Sequence, residues 1–455
     1  MARIAPEKVM DLLSQHMLVD GFDIIVDLEK SQGSYLVDAR NGRKYLDFFT
    51  FFATLPVGMN HAKMRTTEFQ EKLLWTAINK PSNSDFYTTE MAEFVDTFGR
   101  VAVPETLPHL FFISGGALAV ENALKTAFDW KIRKNFENGF DRELGNKIIH
   151  FRQAFHGRSG YTLSMTNTAD PRKTKYFPKF DWPRVLNPKI TFPLNEVNLE
   201  KVKKAEQTSL EQIKQAIIEN PNDIAAIIIE PIQAEGGDNH FRSEFFKALR
   251  TIADENELLL IFDEVQTGVG VTGKMWAYQH FGIEPDIIAF GKKTQVCGIM
   301  AGKKIDEVEN NVFEESSRIN STWGANLVDM VRSQCYFEII DEEKLVENAA
   351  QVGSYFLDQL LKVQDKYDEL ISNTRGRGLF IAFDLPDEQS RDQFMQDAKN
   401  NGMLVLKCGE KSIRFRPSLN TTREEIDEAI TIINQTLTSS LPKPKMSRPV
   451  GQWEL

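Results

Sequence analysis

A chain of 455 residues is long enough for a large hydrophobic core and a second, smaller one. Its 42% hydrophobic and 26% charged residues fit a folded globular protein, and a net charge of −11 without a long basic run argues against nucleic acid and anionic membrane as partners. No apolar run reaches the length of a membrane span, Glu7, Lys8 and Asp11 interrupt any secretory-signal core, and the scattered Cys297, Cys335 and Cys408 suit a reducing cytoplasm better than a disulfide framework.

Residues 6–18 carry apolar positions at helical spacing. Residues 24–26 and 34–38 read as short strands. Asn41-Gly42 is a hairpin turn that returns the chain as a strand over 44–48. Phe48, Phe49, Phe51 and Phe52 follow, for which core packing is the default. His61 closes a Gly58-Met59-Asn60-His61 turn and reads as structural. The next clear element is a strand over 110–113. It enters Ser114-Gly115-Gly116-Ala117, and a helix runs over 118–136. A glycine turn opening a helix turns bare amides and the positive end of the dipole toward an anion, although most glycine pairs are plain turns.

A strand over 147–151 leads into Arg152-Gln153-Ala154-Phe155-His156-Gly157-Arg158-Ser159. A flat aromatic such as Phe155 at a strand end can stack on a planar ring. Arg158 is a candidate carboxylate binder, though a lone arginine is more often surface. Residues 170–194 read as a surface excursion. Ser209-Leu210-Glu211-Gln212 fits a capping box that opens a helix to 219. A fully apolar strand over 224–229 ends at Glu230, with Glu235 close behind. A helix over 243–255 follows.

The densest chemistry lies in 258–298. The apolar run 258–262 is patterned as a strand buried on both faces and ends at Asp263-Glu264. A helical stretch over 274–281 precedes a second apolar run, 286–290, which ends at Gly291-Lys292-Lys293. Open α/β sheets take ligands at the carboxyl edge of their strands. An acid there commonly caps the next helix and a lysine there is commonly solvated. Together they also suit a Schiff-base lysine and a carboxylate on the protonated ring nitrogen of pyridoxal phosphate. The alternation from 110 to 290 predicts a mixed, mainly parallel α/β sheet. No GxGxxG and no Walker loop is present, which disfavours nicotinamide and nucleotide cofactors.

Asp263-Glu264-Val265-Gln266-Thr267-Gly268, Thr272-Gly273, Pro285-Asp286-Ile287 and Gly291-Lys292 together resemble the signature of class III aminotransferases. The resemblance implies fold type I of the pyridoxal-phosphate-dependent transferases, with a large sheet domain and a small α+β domain. The expected division is an N-terminal segment over 1–61 that covers the active site, a large cofactor-binding domain over 62–325 and a small domain over 326–455. It implies that Lys292, rather than its rival Lys293, holds the cofactor. It gives Asp263 to the pyridine nitrogen, Gln266 to the phenolic oxygen and Phe155 to the ring stack. Backbone amides of Gly116 and Ala117 are expected to hold the phosphate, because the hydroxyls usual in that family loop are missing. Val271 stands where the family usually has arginine.

By the same resemblance Glu235 pairs with an arginine until a dicarboxylate arrives, and Glu230 is a structural partner beneath the cofactor. His156 is structural, and residues 51–55 line the substrate pocket. Asn320-Ser321-Thr322-Trp323-Gly324-Ala325-Asn326 implies a homodimer in which Thr322 reaches the neighbouring subunit's phosphate; a cap for the helix over 327–337 is compatible. A helix over 343–365, strands to 384, over 404–406 and over 412–415, and a last helix over 425–438 opened by Thr422 fill the small domain. Residues 442–455 read as an extended tail. Ile413-Arg414-Phe415-Arg416-Pro417 gives Arg414 the substrate carboxylate and leaves Arg416 open.

The resemblance implies a ping-pong transfer of an amino group to 2-oxoglutarate, giving L-glutamate, with no metal. Motifs such as Gly-Lys-Lys-Thr-Gln-Val-Cys-Gly (291–298) and Thr-Trp-Gly-Ala-Asn-Leu-Val-Asp-Met (322–330) resemble those of family members that act on the terminal amine of L-lysine. Ornithine and 4-aminobutyrate are the alternative donors. A glutamate-1-semialdehyde-type mutase and a non-catalytic scaffold are the readings from other classes.

Overall fold

The computed structural model describes residues 4–440; the tail expected over 442–455 lies outside them. The core is a seven-stranded sheet in the order His109–Ile113, Cys297–Ala301, Ile287–Phe290, Leu259–Asp263, Ile224–Ile229, Lys147–Phe151, Arg184–Val185. Cys297–Ala301 alone runs antiparallel to the other six. All residues of Ile224–Ile229 and Leu259–Asp263 are buried, as a strand covered on both faces requires.

Side chains alternate between two apolar layers. Ile148, Ala226, Ile228, Leu259 and Ile261 meet Val120, Ala123, Leu124, Ala127 and Trp130 of the Gly116–Glu137 helix. Ile149, Ile227, Leu260, Phe262 and Ile288 face the other way. There they meet Phe94 and Phe98, Phe245 and Phe246 of Ser243–Glu255, and Met330 and Phe337 of Leu327–Glu342. Every carboxyl end of the six co-directional strands lies on one edge.

A four-stranded antiparallel sheet, in the order Ser372–Arg377, Phe380–Asp384, Ser412–Phe415, Leu406–Cys408, forms a second layer. The helices Leu345–Lys366, Glu388–Asn400 and Arg423–Ser440 accompany it. Thr422 opens the last of these with the expected reciprocal bonds to Glu425. The hairpin Tyr35–Val37 and Lys44–Asp47 forms as expected and takes Met403–Leu404 as a parallel third strand. The N-terminal segment is thus stitched to the C-terminal part of the chain.

Several elements differ from expectation. The capping box at Ser209 opens nothing. One helix, Glu196–Glu219, runs through it from an Asn195 cap, and the Ser209 hydroxyl donates to the Leu186 carbonyl at 2.7 Å. Residues 274–281 form only the short 3-10 turn Ala277–His280. The first helix shrinks to Val9–Ser14 after a 3-10 turn, with no buried residue to hold it. Thr67–Ile78, Thr89–Val101, Glu388–Asn400 and the Cys297–Ala301 strand add to the expected set.

The helix Leu345–Lys366 lies directly on the Gly378 turn, because a Cβ at Gly353 would sit 2.0 Å from the Gly378 carbonyl carbon. Gly378 itself has φ +54, and a Cβ on it would lie 2.5 Å from the Thr272 carbonyl carbon. Gly353→Ala must push the helix off this junction. We expect it to lower unfolding free energy by about 1–3 kcal/mol, read from the midpoint shift in urea titration.

Candidate active site

The Leu259–Asp263 strand delivers Asp263 to the carboxyl edge, where burial would be costly without partners. One oxygen, Oδ2, lies 2.8 Å from His156 Nδ1, and Oδ1 accepts the Val265 N–H at 3.1 Å. Since a carboxylate only accepts, Nδ1 carries the proton of that bond. His156 is buried and its Nε2 has no hydrogen-bond partner among the described residues. The structure therefore makes His156 a support for Asp263. The adjacent Glu264 is the helix-capping acid of the pair. It accepts from the Ala277 and Tyr278 amides and the Thr267 hydroxyl, each at 2.8 Å, and burial raises its pKa to about 7.

The two lysines separate by their bonds. Lys293 is buried and its Nζ donates to the Gln266 carbonyl at 2.8 Å. Lys292 Nζ makes no hydrogen bond or ion pair among the described residues. Lys292 has φ 55, a left-handed conformation uncommon for a non-glycine residue. Burial, and then Arg414, push the Lys292 amine down to about 8, against the pull of Asp263.

Helix Gly116–Glu137 starts after Gly115 at φ 108 with no side-chain cap, leaving the first amides for an anion. A Cβ at Gly116 would come 2.9 Å from Val265 Cγ1, and one at Gly291 would meet both Val265 and Cys297. Glycine thus lets this helix end and the Lys292 loop close on the residues following Asp263. An open helix end, an anchored carboxylate and an unpaired lysine on one sheet edge are the donor set that pyridoxal phosphate requires, so the residues fit that cofactor.

The other wall comes from the small sheet. Arg414 is buried, donates to Gln266 Oε1 at 2.9 Å, leaves Nε unpartnered and has no carboxylate partner among the described residues. Arg416 reaches the same Oε1 from Nε at 3.4 Å and pairs with Asp238 at 2.6 Å, both side chains at 0% exposure. Glu230 accepts the Phe155 and Ala234 amides at 2.9 and 3.1 Å, and burial raises its pKa, with Asp263 adding to the shift. Glu235 differs from expectation: its partner is Lys173 at 2.5 Å, with the Thr168 hydroxyl at 2.7 Å, and no arginine among the described residues. Lys173 also stands 6.0 Å above the half-buried Phe155 ring.

Arg158 is exposed and makes no hydrogen bond or ion pair among the described residues. Thr322 is exposed. It is not a helix cap: Asn326 holds that position, and the Thr322 carbonyl accepts from Ser82 at 2.6 Å. Phe51 is half-buried and Phe52 exposed, within a left-handed stretch over Thr50, Phe51, Phe52 and Ala53. Gln295 ties this stretch to the lysine loop by donating to the Thr54 carbonyl at 2.7 Å. His61 packs against Glu343 at 3.0 Å, away from this cluster. Reading the sequence missed Lys173, Asp238 and the His156–Asp263 bond. No spacing rule joins residues so distant, although the acid run around Glu235 carried a hint for Asp238.

A model of the family "aminotransferase class-III" matches residues 18–437. The L-lysine-epsilon aminotransferase of Mycobacterium tuberculosis is 52% identical over 433 residues, covering 95% of this chain and 96% of the relative. The enzyme of the same description from Streptomyces clavuligerus is 46% identical over 437 residues, 95% and 94% of the two chains. Mouse mitochondrial 4-aminobutyrate aminotransferase is 32% identical over 434 residues, 91% and 85%. Among solved structures, lysine aminotransferase from M. tuberculosis in the internal aldimine form superposes with a TM-score of 0.94 at 51% identity. The match covers 96% of this chain and 100% of that one.

The lysine assignment has a direct test in the cofactor-free protein. Above its pKa Lys292 is an uncharged nucleophile, so its acylation by acetic anhydride should rise with pH through a midpoint of about 8, while ordinary lysines rise near 10.5. Arg414→Met removes a like charge and should move that midpoint upward. Quantifying peptide labelling by mass spectrometry across pH checks both; a Lys292 midpoint near 10.5 would reject the assignment.

Proposed function

We infer, for a chain that belongs to the class III aminotransferases, that it transfers the terminal amino group of L-lysine to 2-oxoglutarate, yielding 2-aminoadipate 6-semialdehyde and L-glutamate. The chain is a pyridoxal-phosphate-dependent enzyme of fold type I. The geometric observation that carries the substrate reading is Arg414: a buried guanidinium without a carboxylate, beside the unpaired amine of Lys292. Such a charge calls for a carboxylate from outside the chain. An amino acid held there by its carboxylate presents its far amine to the lysine. Relatives named for L-lysine, at 46–52% identity along nearly the whole chain, favour lysine over 4-aminobutyrate, whose enzymes are 32–34% identical.

Bound pyridoxal phosphate supplies an aldehyde carbon that takes up the amino group and a ring that accepts the electron pair of the substrate carbon. The rest falls to the chain's residues. Asp263, braced by His156, would pair with the ring nitrogen and hold its proton. Gln266 would lie at the phenolic oxygen, Phe155 against the ring, and the Gly116 and Ala117 amides at the phosphate. Lys292 would hold the cofactor through Nζ and, once free of it, would be the base that moves the proton of the substrate carbon. Arg158 and Arg414 receive the two carboxylates of 2-oxoglutarate, and Glu235, withdrawn onto Lys173, leaves Arg414 open to it. Donor and acceptor therefore react in turn at one site.

The same reading includes a homodimer in which Thr322 reaches the neighbouring subunit's phosphate. The turn holding Thr322 lies beside an exposed apolar surface: Lys80 stacks on Trp323 at 4.3 Å, and Trp75, Phe86 and Tyr87 are exposed. It also includes the division at 61 and 325, a cytoplasmic location and a part in lysine breakdown. No helix among the described residues is long and apolar enough to cross a membrane.

Single-turnover absorbance tests the donor. Protein loaded with pyridoxal phosphate receives L-lysine, L-ornithine or 4-aminobutyrate without keto acid. Lysine should bleach the visible band at least about 10-fold faster than ornithine, the discrimination of one methylene, and 2-oxoglutarate should restore it. Faster bleaching by ornithine or 4-aminobutyrate would replace lysine as donor.

A further inference from the structure

Arg416 and Asp238 form a wholly buried ion pair that meets the site at Gln266. Arg416 is fixed on every side: its N–H donates to the Phe48 carbonyl at 2.8 Å, its Nη1 to the Phe415 carbonyl at 2.8 Å, and its guanidinium carbon stands 3.3 Å from the Phe380 ring centroid. Asp238 has one oxygen on Arg416 and a second, Oδ2, buried without a hydrogen-bond partner among the described residues. Arg414, two residues along the strand, has a buried Nε equally without a partner. Arg414 and Arg416 share Gln266 Oε1 and Arg416 holds Asp238, so these three charges gather around one amide, with Arg375 Nε donating to the Asp238 carbonyl at 3.0 Å. A carboxylate with one free oxygen and a guanidinium with a free Nε attract strongly in a low-dielectric interior unless something neutralises the acid first.

We propose that Arg416 is a positioning residue for the transfer: by neutralising Asp238 and sharing Gln266 Oε1, it prevents Asp238 from capturing Arg414 and so keeps Arg414 open to substrate carboxylates. This rests on the reading of Arg414 as the carboxylate holder. Arg416 itself touches no substrate. Its loss exposes Arg414 to an internal acid that competes with every substrate carboxylate, donor and acceptor alike.

The experiment is a mutant cycle on the cofactor-loaded enzyme, with KM and kcat for both half-reactions. Arg416→Met should raise KM for 2-oxoglutarate and for the amino donor by about 10- to 100-fold, the equivalent of one charged hydrogen bond, with a smaller change in kcat and with cofactor retained. Arg416→Met combined with Asp238→Asn should recover most of that loss, because the competing charge is gone. Arg416→Lys, which keeps the charge, should stay near the parent, whereas Arg416→Gln should resemble Arg416→Met. The last two carry the test if Arg416→Met fails to fold. A double variant no better than Arg416→Met, or Lys and Gln variants equally impaired, would overturn the proposal. Arg414→Met serves as the separate control: an unchanged KM there would mean that Arg414 does not hold the carboxylate, and the functional reading would fail instead.

Discussion

Buried or half-buried charges crowd the carboxyl edge of the large sheet: Lys292, Lys293, Arg414 and Arg416 beside Asp263, Glu230, Glu264 and Asp238. In a medium of low dielectric constant the way these charges pair dominates the local energetics. Arg416 is matched by Asp238. Lys292 is partly balanced by Asp263, whose oxygens are already committed to His156 and Val265. Arg414 is left with an amide oxygen alone. The depressed amine of Lys292 and the open guanidinium of Arg414 are two outcomes of one electrostatic constraint. One prepares a nucleophile and the other prepares a carboxylate site.

The sheet creates this constraint. Parallel strands bring Asp263, Glu230, Phe155 and Lys292 to a common edge although up to 137 positions separate them in the chain. The small sheet then brings Arg414 and Arg416 against that edge. Burial on both faces of Ile224–Ile229 and Leu259–Asp263 fixes the edge in place, because a shift of register would carry apolar side chains into water.

What could be read from the sequence follows from where the information lies. Continuous apolar runs marked the buried strands within one residue, since period and length are local properties. The loop residues Lys292 and Lys293 were ranked by the family's register, and the different bonding of their two amines is visible only in three dimensions. Ser209 shows how local grammar fails: Ser-x-x-Gln is a start signal, but the surrounding residues sustain one continuous helix and turn the hydroxyl onto Leu186. Cys297–Ala301 was missed because Gly298 reads as a break. There the neighbouring strand approaches so closely that a Cβ would lie 2.1 Å from the Phe111 carbonyl oxygen. The Glu235–Lys173 pair joins a strand-end loop to the surface excursion, 62 positions apart, and no periodicity records it.

The left-handed stretch Thr50–Ala53 belongs to the same logic. Each non-glycine residue in that conformation costs roughly 1–2 kcal/mol, so four in succession persist only if other contacts over-determine them. Asp47 Oδ1 accepts the Phe49 and Thr50 amides, the Thr50 hydroxyl donates to the Arg416 carbonyl at 2.7 Å, and Gln295 grips Thr54. Burial lifts the Asp47 pKa to about 6, and the two amide bonds oppose that rise. The N-terminal segment, the arginine strand and the lysine loop are therefore held by one another. None of the three has a local reason for its conformation, and the site exists only where all three meet.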